Sequence, residues 1–441
     1  MRVPAQLTSR ARTAGALVLL QSALPVNAAL TAAWWLRGLV TTPPVMDRAA
    51  TPLTVLLSGG KMTKALQLAR SFHAAGHRVV LVEQDKYRWS GHRFSRAVDA
   101  FHTVPKPQDS DYAAALLRIV RAEEVDVYVP VCSPASSVPD AQAAALLAPY
   151  CEVLHGDADM IARLDDKERF VALADTLDLP VPDSVRVTQP AQVGAFDFAG
   201  GHPPYVLKSI GYDPVNRLDL TPLPRETSQQ TNEFAESKPI DEDHPWVMQQ
   251  YVEGTEFCTH GTARDGRLQV FACCPSSSFQ VNYRHEDKPA IEDWVRTFVG
   301  RLRLTGQYSF DFIEDPDGHV YPIECNPRTH SAITMFYDHP GLASAYLDDQ
   351  RATIVPTSTS RPTYWLYHEA WRLIRGEGSR RERLGIILEG HDAILSMHDP
   401  WPFFIEHHVQ IPLLLWRNLL SGNGFLRIDF NIGKLVEAAG D

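Results

Sequence analysis

The sequence predicts a mixed α/β fold in which a strand–helix domain with a parallel sheet precedes two α+β lobes. An apolar helical segment stands before this unit and an extension follows it. Three observations point there. Short apolar runs alternate with helix-period segments over residues 51–155. Over 156–345, single charged residues sit inside β-like apolar stretches. Residues 1–50 and 346–441 break that pattern with apolar and aromatic sequence of helical period.

The N-terminal segment carries no charge from about residue 13 to 36, and Arg10, Arg12 and Arg37 flank it. Roughly two dozen residues suffice to span a bilayer. Gln21, Pro25, Asn27 and several alanines leave two other readings open: helices packed on the protein, or a cleaved signal peptide. After the linker "TTPPVMDRAATP", "TVLLSGG" reads as a buried strand and 64–75 as a helix. "HRVVLVEQ" and "AFHTVP" are the next strands, 112–122 is helical, and "VDVYVPV" is the fourth strand. Ser58, Gly59, Gly60 and Lys61 turn the first strand into its helix and offer a site for an anionic substrate. They match neither the Walker spacing nor the G-x-G-x-x-G fingerprint, so a plain tight turn fits equally. Glu83 ends the second strand, as the ribose-binding acid of a dinucleotide fold would. Asp157 can cap a helix to about residue 164.

Composition narrows the function. With 53 acidic and 42 basic residues the formal charge is −11, which argues against sequence-independent nucleic-acid binding. Six cysteines without C-x-x-C spacing fit a reducing compartment. The adjacent pairs Cys273-Cys274 and His407-His408 are weak metal candidates, because neighbouring residues diverge in regular structure.

The chemistry concentrates late. Asp311 in "QYSFDFIED" and Glu324 in "VYPIECNPR" flank the turn "DPDG", and a hairpin would set them side by side. Asn326 lies two residues past Glu324. Two carboxylates and an amide oxygen suit Mg²⁺, or Mn²⁺, holding phosphate oxygens. Arg328 could grip a phosphoryl group or a substrate carboxylate in a bidentate manner. Upstream, Lys167 opens a helix and Lys208 sits in the apolar strand "YVLKSI", where a charge needs a partner such as phosphate. Between them and the acids, the hinge "QQYVEGTE" offers backbone groups to adenine and Glu256 to a ribose, with Gly254 permitting a turn.

Lys167, Lys208, the hinge, Asp311 and "ECNPR" occur in the order of the ATP-grasp superfamily, which the chain resembles over roughly residues 51–345. That resemblance implies a pre-ATP-grasp domain at 51–155 and an ATP-grasp domain at 156–345, its lobes meeting near 249–256. Lys167 and Lys208 would contact phosphates, with Gln249, Gln250 and Val252 at the adenine edge and Glu256 on the ribose. Asp311, Glu324 and Asn326 would bind the metal, while Arg328 and Lys208 would act on the reacting phosphate. Ser209 stands where proline is usual. "GYDPVNRLDLTPLP", with Gly211 and Arg217, replaces the glycine-rich lid.

"LSGGKMTKALQLARSFHAAGHRVVLVE", "VDVYVPVCSP", "CNPRTHSAITMFYDHPG" and "IDFNIGKLVE" further resemble the ATP-grasp enzymes of mycosporine biosynthesis, which join deoxygadusol to glycine. The resemblance implies those two small molecules as partners and a cytoplasmic active site, with membrane contact through the N-terminal segment and a homo-oligomer both left open. Arg328, Thr329, His330 and Ser331, together with the Ser58–Lys61 loop, would line the acceptor side. Three competitors remain: another carboxylate–amine ligase, a nicotinamide oxidoreductase resting on Glu83, and a membrane-tethered nucleotide binder.

Overall fold

A computed structural model describes residues 5–198, 203–211, 213, 215–216, 219–276, 282–349 and 351–437. Two helices open it, α1 (Ala5–Ser22) and α2 (Leu24–Val40). Strands β1 (Thr54–Leu57), β2 (Arg78–Gln84), β3 (Ala100–Val104), β4 (Val127–Val129) and β5 (Glu152–Val153) follow, interleaved with α3 (Thr63–Ala74), α4 (Tyr112–Ala122) and α5 (Ser137–Leu147). They form one parallel sheet in the order β3-β2-β1-β4-β5. The interior of β1 and β2 is buried apolar sequence, as a sheet covered on both faces requires. The predicted strands and helices of this domain are all present. The five-stranded order adds β5 and α5, which the sequence pattern did not reveal.

Asp157 does cap α6 (Ala158–Asp165): its Oδ1 accepts from Met160 N at 2.9 Å. Asp166 caps α7 (Lys167–Asp175) in the same way, accepting from Glu168 N and Arg169 N. One lobe contains β6 (Ser184–Val187), α8 (Pro190–Gly194), β7 (Tyr205–Ser209), α9 (Ser228–Glu236) and β8 (Trp246–Gln250), with an antiparallel sheet ordered β6-β8-β7. The other contains β9 (Thr255–Arg264), β10 (Arg267–Pro275), β11 (Asn282–Tyr283), α10 (Pro289–Arg301), β12 (Gly306–Glu314) and β13 (Val320–Asn326). Its main sheet runs β10-β9-β12-β13. Phe170, Trp294, Phe298, Phe310 and Phe312 fill the space beneath that sheet.

The tail comprises α11 (Leu342–Leu347), β14 (Thr363–Tyr364), α12 (Leu366–Arg375), α13 (Arg380–Glu389), β15 (His391–Asp392), α14 (Trp401–Ile405), a π-turn, α15 (Ile411–Ser421), β16 (Arg427–Asp429) and β17 (Lys434–Val436). It is not an appendage. One apolar core joins Val55 and Phe72 of the first domain to Ile333, Tyr346, Phe403 and Leu415. The N-terminal helices pack on this tail: Arg12 Nη2 donates to Leu426 O at 2.6 Å, and Asn27 Nδ2 lies 2.7 Å from His408 Nε2. Among the described residues, no single helix is long and apolar enough to cross a membrane. The α1–α2 pair, bent by 41°, passes only when taken together.

The adjacent pairs diverge as expected. Cys273 joins the core beneath the second lobe and Cys274 the larger core. His407 stacks on Tyr367 at 4.2 Å, while His408 faces Asn27.

Glu406, in the π-turn, is fully buried. Burial pushes its carboxyl up to about 8, against the Gly91 N–H and the Lys61 charge. A carboxyl whose folded pKa lies above 4.5 binds its proton more tightly when folded, so its contribution is present below pH 4.5 and lost as pH rises through 8. Wild type is therefore expected to lose stability relative to Glu406→Gln by on the order of 1 kcal/mol per pH unit across that window. Melting temperatures of the two proteins at pH 4.5, 6 and 8 check this; parallel curves contradict it.

Candidate active site

The β12–β13 hairpin builds the acidic side. Phe310, Phe312 and Cys325 face the core, and period-two alternation turns Asp311 and Glu324 to the opposite face. Asp311 pairs directly with Glu324, and Ser309 with Asn326. On the neighbouring strand β9, Cys258 pairs with Asp311 and Glu256 with Ile313. Burial, then Glu324, Cys258 and Glu256, push the Asp311 carboxyl far above its usual range. Acids gathered this way call for a cation.

The cationic side comes from other elements. Lys167, the first residue of α7, places Nζ 3.8 Å from Glu324 Oε2. Lys208 lies on β7 and donates to Gln249 Oε1 at 2.9 Å. Burial lowers the Lys208 pKa, Lys167 adds to that, and Glu324, Glu256 and Asp311 oppose it. Arg328 donates to Asp165 Oδ1 at 2.9 Å and to Asn326 Oδ1. The structure thus brings Lys167, Lys208, Glu256, Asp311, Glu324, Asn326 and Arg328 into one cluster between the lobes.

This donor set fits a magnesium ion. It offers hard oxygens only, and the Asn326 amide oxygen keeps a second lone pair beyond the one Arg328 uses.

At the hinge, Gln249 is fully buried, and its side chain is shared between Lys208 and Ser184. Gln250 Oε1 accepts from Asp183 N, and Val252 is buried. Glu256 Oε1 accepts from Ser276 Oγ at 2.8 Å. Gly254 lies at a bend just before β9, as expected, and carries a second constraint. It is not among the positive-φ glycines, but a Cβ there would lie 2.1 Å from Glu314 O. Gly254→Ala is expected to cost about 1–3 kcal/mol, read as a lower melting temperature; an unchanged value contradicts the packing. Arg217 lies outside the described residues.

The Ser58–Lys61 loop is tied down internally. Gly59 has φ +68°, and a Cβ there would meet Val131 O at 2.3 Å. Ser58 Oγ accepts from Val131 N, and Gly60 O accepts from Ser90 Oγ. Lys61 forms a buried ion pair with Glu83 at 3.3 Å, and Glu83 also accepts from Lys61 N and Gln84 N. Glu83 therefore holds its own loop rather than presenting free oxygens to a ribose. Ser58, Gly59, Lys61, Glu83 and Ser133 line a small cleft.

Three contacts had no signature in the sequence. Lys64 is buried and donates to Cys132 O at 3.1 Å and Thr329 O at 2.5 Å, linking the first domain to the loop after Arg328. Burial, then the Arg328 charge, bring its pKa down to about 7. Asp165 anchors Arg328. Asn431, in the tail, exchanges hydrogen bonds with Ser331, and its carbonyl accepts from Thr63 N. His330 caps the short helix after it, its Nδ1 accepting from Ala332 N, and packs on Tyr283 at 5.2 Å.

Among solved structures, the chain is similar to N5-carboxyaminoimidazole synthetase from Staphylococcus aureus complexed with ADP. The TM-score is 0.54 at 16% identity, covering 76% of this chain and 87% of that one. It is also similar to the biotin carboxylase domain of Hydrogenobacter thermophilus 2-oxoglutarate carboxylase, solved with MgADP, ADP and bicarbonate. There the TM-score is 0.51 at 12% identity, over 69% and 72% of the two chains. The chain has the ATP-grasp fold. In sequence, this ATP-grasp chain is 24% identical over 214 residues to the carbamoyl phosphate synthase large chain, C-terminal section, of Methanopyrus kandleri. That match covers 44% of this chain and only 38% of the relative's length. No protein-family profile matches it.

Proposed function

We propose that this chain is an ATP- and magnesium-dependent carbon–nitrogen ligase that condenses deoxygadusol with glycine to give mycosporine-glycine, ADP and phosphate. The observation that carries the ligase reading is the meeting of Lys167 and Lys208 with Asp311, Glu324 and Asn326 in one interlobe cleft of an ATP-grasp fold. The acceptor reading rests on the sequence resemblance. It is supported by the way three distant motifs of that resemblance assemble: Lys64 reaches Thr329, and Asn431 reaches Ser331 and Thr63.

Deoxygadusol is an enolised cyclic diketone, electronically a vinylogous acid. Its enol oxygen attacks the γ-phosphorus and ADP leaves. The glycine amine then adds at the same carbon, loses a proton, and phosphate departs with the former enol oxygen. Asp311, Glu324 and Asn326 would hold a magnesium ion, which would supply charge neutralisation at the phosphate oxygens. Lys167, Lys208 and Arg328 hold the transferring phosphoryl group in line. Glu256 accepts from the ribose, the hinge around Gln249, Gln250 and Val252 borders the adenine, and Arg328 with His330 and Ser331 borders the acceptor. His330 is committed to Ala332 N and to Cys258, so the amine proton passes to the departing phosphate.

A ligase that activates a carboxylic acid would use the same nucleotide residues, and the carboxylase and synthetase likenesses favour it as the second reading. Mass spectrometry of products after mixing the chain with ATP, Mg²⁺, several amino acids and either deoxygadusol or simple carboxylic acids separates the two. Mycosporine-glycine with stoichiometric ADP is expected. ADP release driven by a carboxylic acid but not by deoxygadusol contradicts the acceptor assignment.

A further inference from the structure

The N-terminal helices are apolar on both sides: Leu20, Leu30 and Trp34 pack on the core, yet large aliphatic side chains also face outward. α2 buries Asn27 and Thr31, 5% and 3% exposed, against the tail. It turns Val26, Leu36, Leu39 and Val40 outward, 56–84% exposed. A helix on a water-facing surface does the reverse. α1 buries Thr13 and Leu20, 1% and 5% exposed, and leaves Val18 69% exposed. α15 packs beside α1 and continues the patch with Trp416 and Leu420, while α14 packs beside α2 and presents Trp401.

Charge and aromatic placement say what covers this face. The chain carries 53 acidic residues, yet none occurs in 1–46 or in 407–428. The charged side chains of those segments are arginines, among them the exposed Arg10, Arg12, Arg37 and Arg417. Exposed Trp35, Trp401 and Trp416 stand among the aliphatics, and indoles favour a boundary between apolar and wet surroundings. A two-fold pairing of this face with a second copy would set arginines against arginines with no acid to answer them. Anionic lipid headgroups answer them directly. The polar sides of α1 and α2 are hydrogen-bonded to the tail through Arg12, Gln21 and Asn27, so the pair is fixed to the protein along its length.

We propose that the face formed by α1, α2, α14 and α15 seats on an anionic membrane surface, with the helix pair lying in the plane of the interface rather than crossing it. This stands independently of the ligase reading.

The test is flotation of the full-length chain with vesicles of phosphatidylcholine alone and of phosphatidylcholine mixed with phosphatidylglycerol. Co-flotation with the mixed vesicles is expected, weakened by high salt. Leu36→Asp/Val40→Asp is expected to cut the bound fraction by about tenfold or more, with melting temperature and ATP turnover unchanged. As a readout that needs no variant, brominated phosphatidylglycerol is expected to quench the tryptophan fluorescence of wild type. The proposal is overturned if wild type floats with neither vesicle, if the variant floats undiminished, or if brominated lipid leaves the fluorescence unchanged. It is equally overturned if the variant's only effect is to convert a dimer to a monomer.

Discussion

Asp311→Asn is expected to lower ATP turnover by about 10²-fold or more while leaving the ligand-free chain at least as stable as wild type. The two effects have one cause. Asp311 lies directly opposite Glu324, with Glu256 close by on β9, and the mutual repulsion of these acids is what burial amplifies. An isosteric amide relieves that repulsion in the free protein. It also removes one of two carboxylates available to a magnesium ion, so the charge developing at the phosphates goes unanswered. Turnover assays and thermal melts with and without MgATP read both signs. The wild-type melt is expected to rise with MgATP and the Asp311→Asn melt to stay flat. A variant with normal turnover, or one that melts earlier without ligand, contradicts the assignment.

Lys208→Met carries the next largest effect. The Lys208 ammonium is enclosed in the cleft, touches Gln249, and feels both the repulsion of Lys167 and the attraction of Glu324. A half-buried ammonium of this kind is poised for an anion, and a triphosphate supplies one. Removing it is expected to raise KM for ATP and lower kcat, on the order of 10–100-fold combined in kcat/KM. Because the free protein loses a desolvated charge at the same time, its melting temperature is expected to hold. A loss confined to stability, with kcat/KM intact, would place Lys208 in the scaffold instead.

Much of this site was legible in the sequence because its geometry is local. The apolar stretches around Asp311 and Glu324 and the intervening turn announce a hairpin, but the direct pairing of the two acids depends on a bulge at Ile323, between the Phe312–Pro322 and Asp311–Glu324 pairs, which the pattern does not show. The first domain was legible for a similar reason: its strands are continuous apolar runs bounded by turns. β5 is two residues long, too short for a pattern, and α5 is an alanine-rich stretch without a clear apolar stripe. Lys64, Asp165 and Asn431 were invisible because each acts only through contacts with residues distant in sequence. Gly254 was read as a turn residue, but its second constraint is the approach of the Glu314 carbonyl, which only the folded hairpin creates. The N-terminal segment shows the limit most clearly. Length and polarity allowed three readings, and the outward apolar face emerges only once Asn27 and Thr31 are seen to point inward beside Leu20.

Calorimetric titration of the full-length chain with ATP, in the presence and absence of magnesium, tests the interlobe cleft most directly. One nucleotide per chain is expected to bind in a magnesium-dependent manner, and both Asp311→Asn and Lys208→Met are expected to weaken it. Absence of binding, or binding that neither magnesium nor these substitutions alters, would contradict the account.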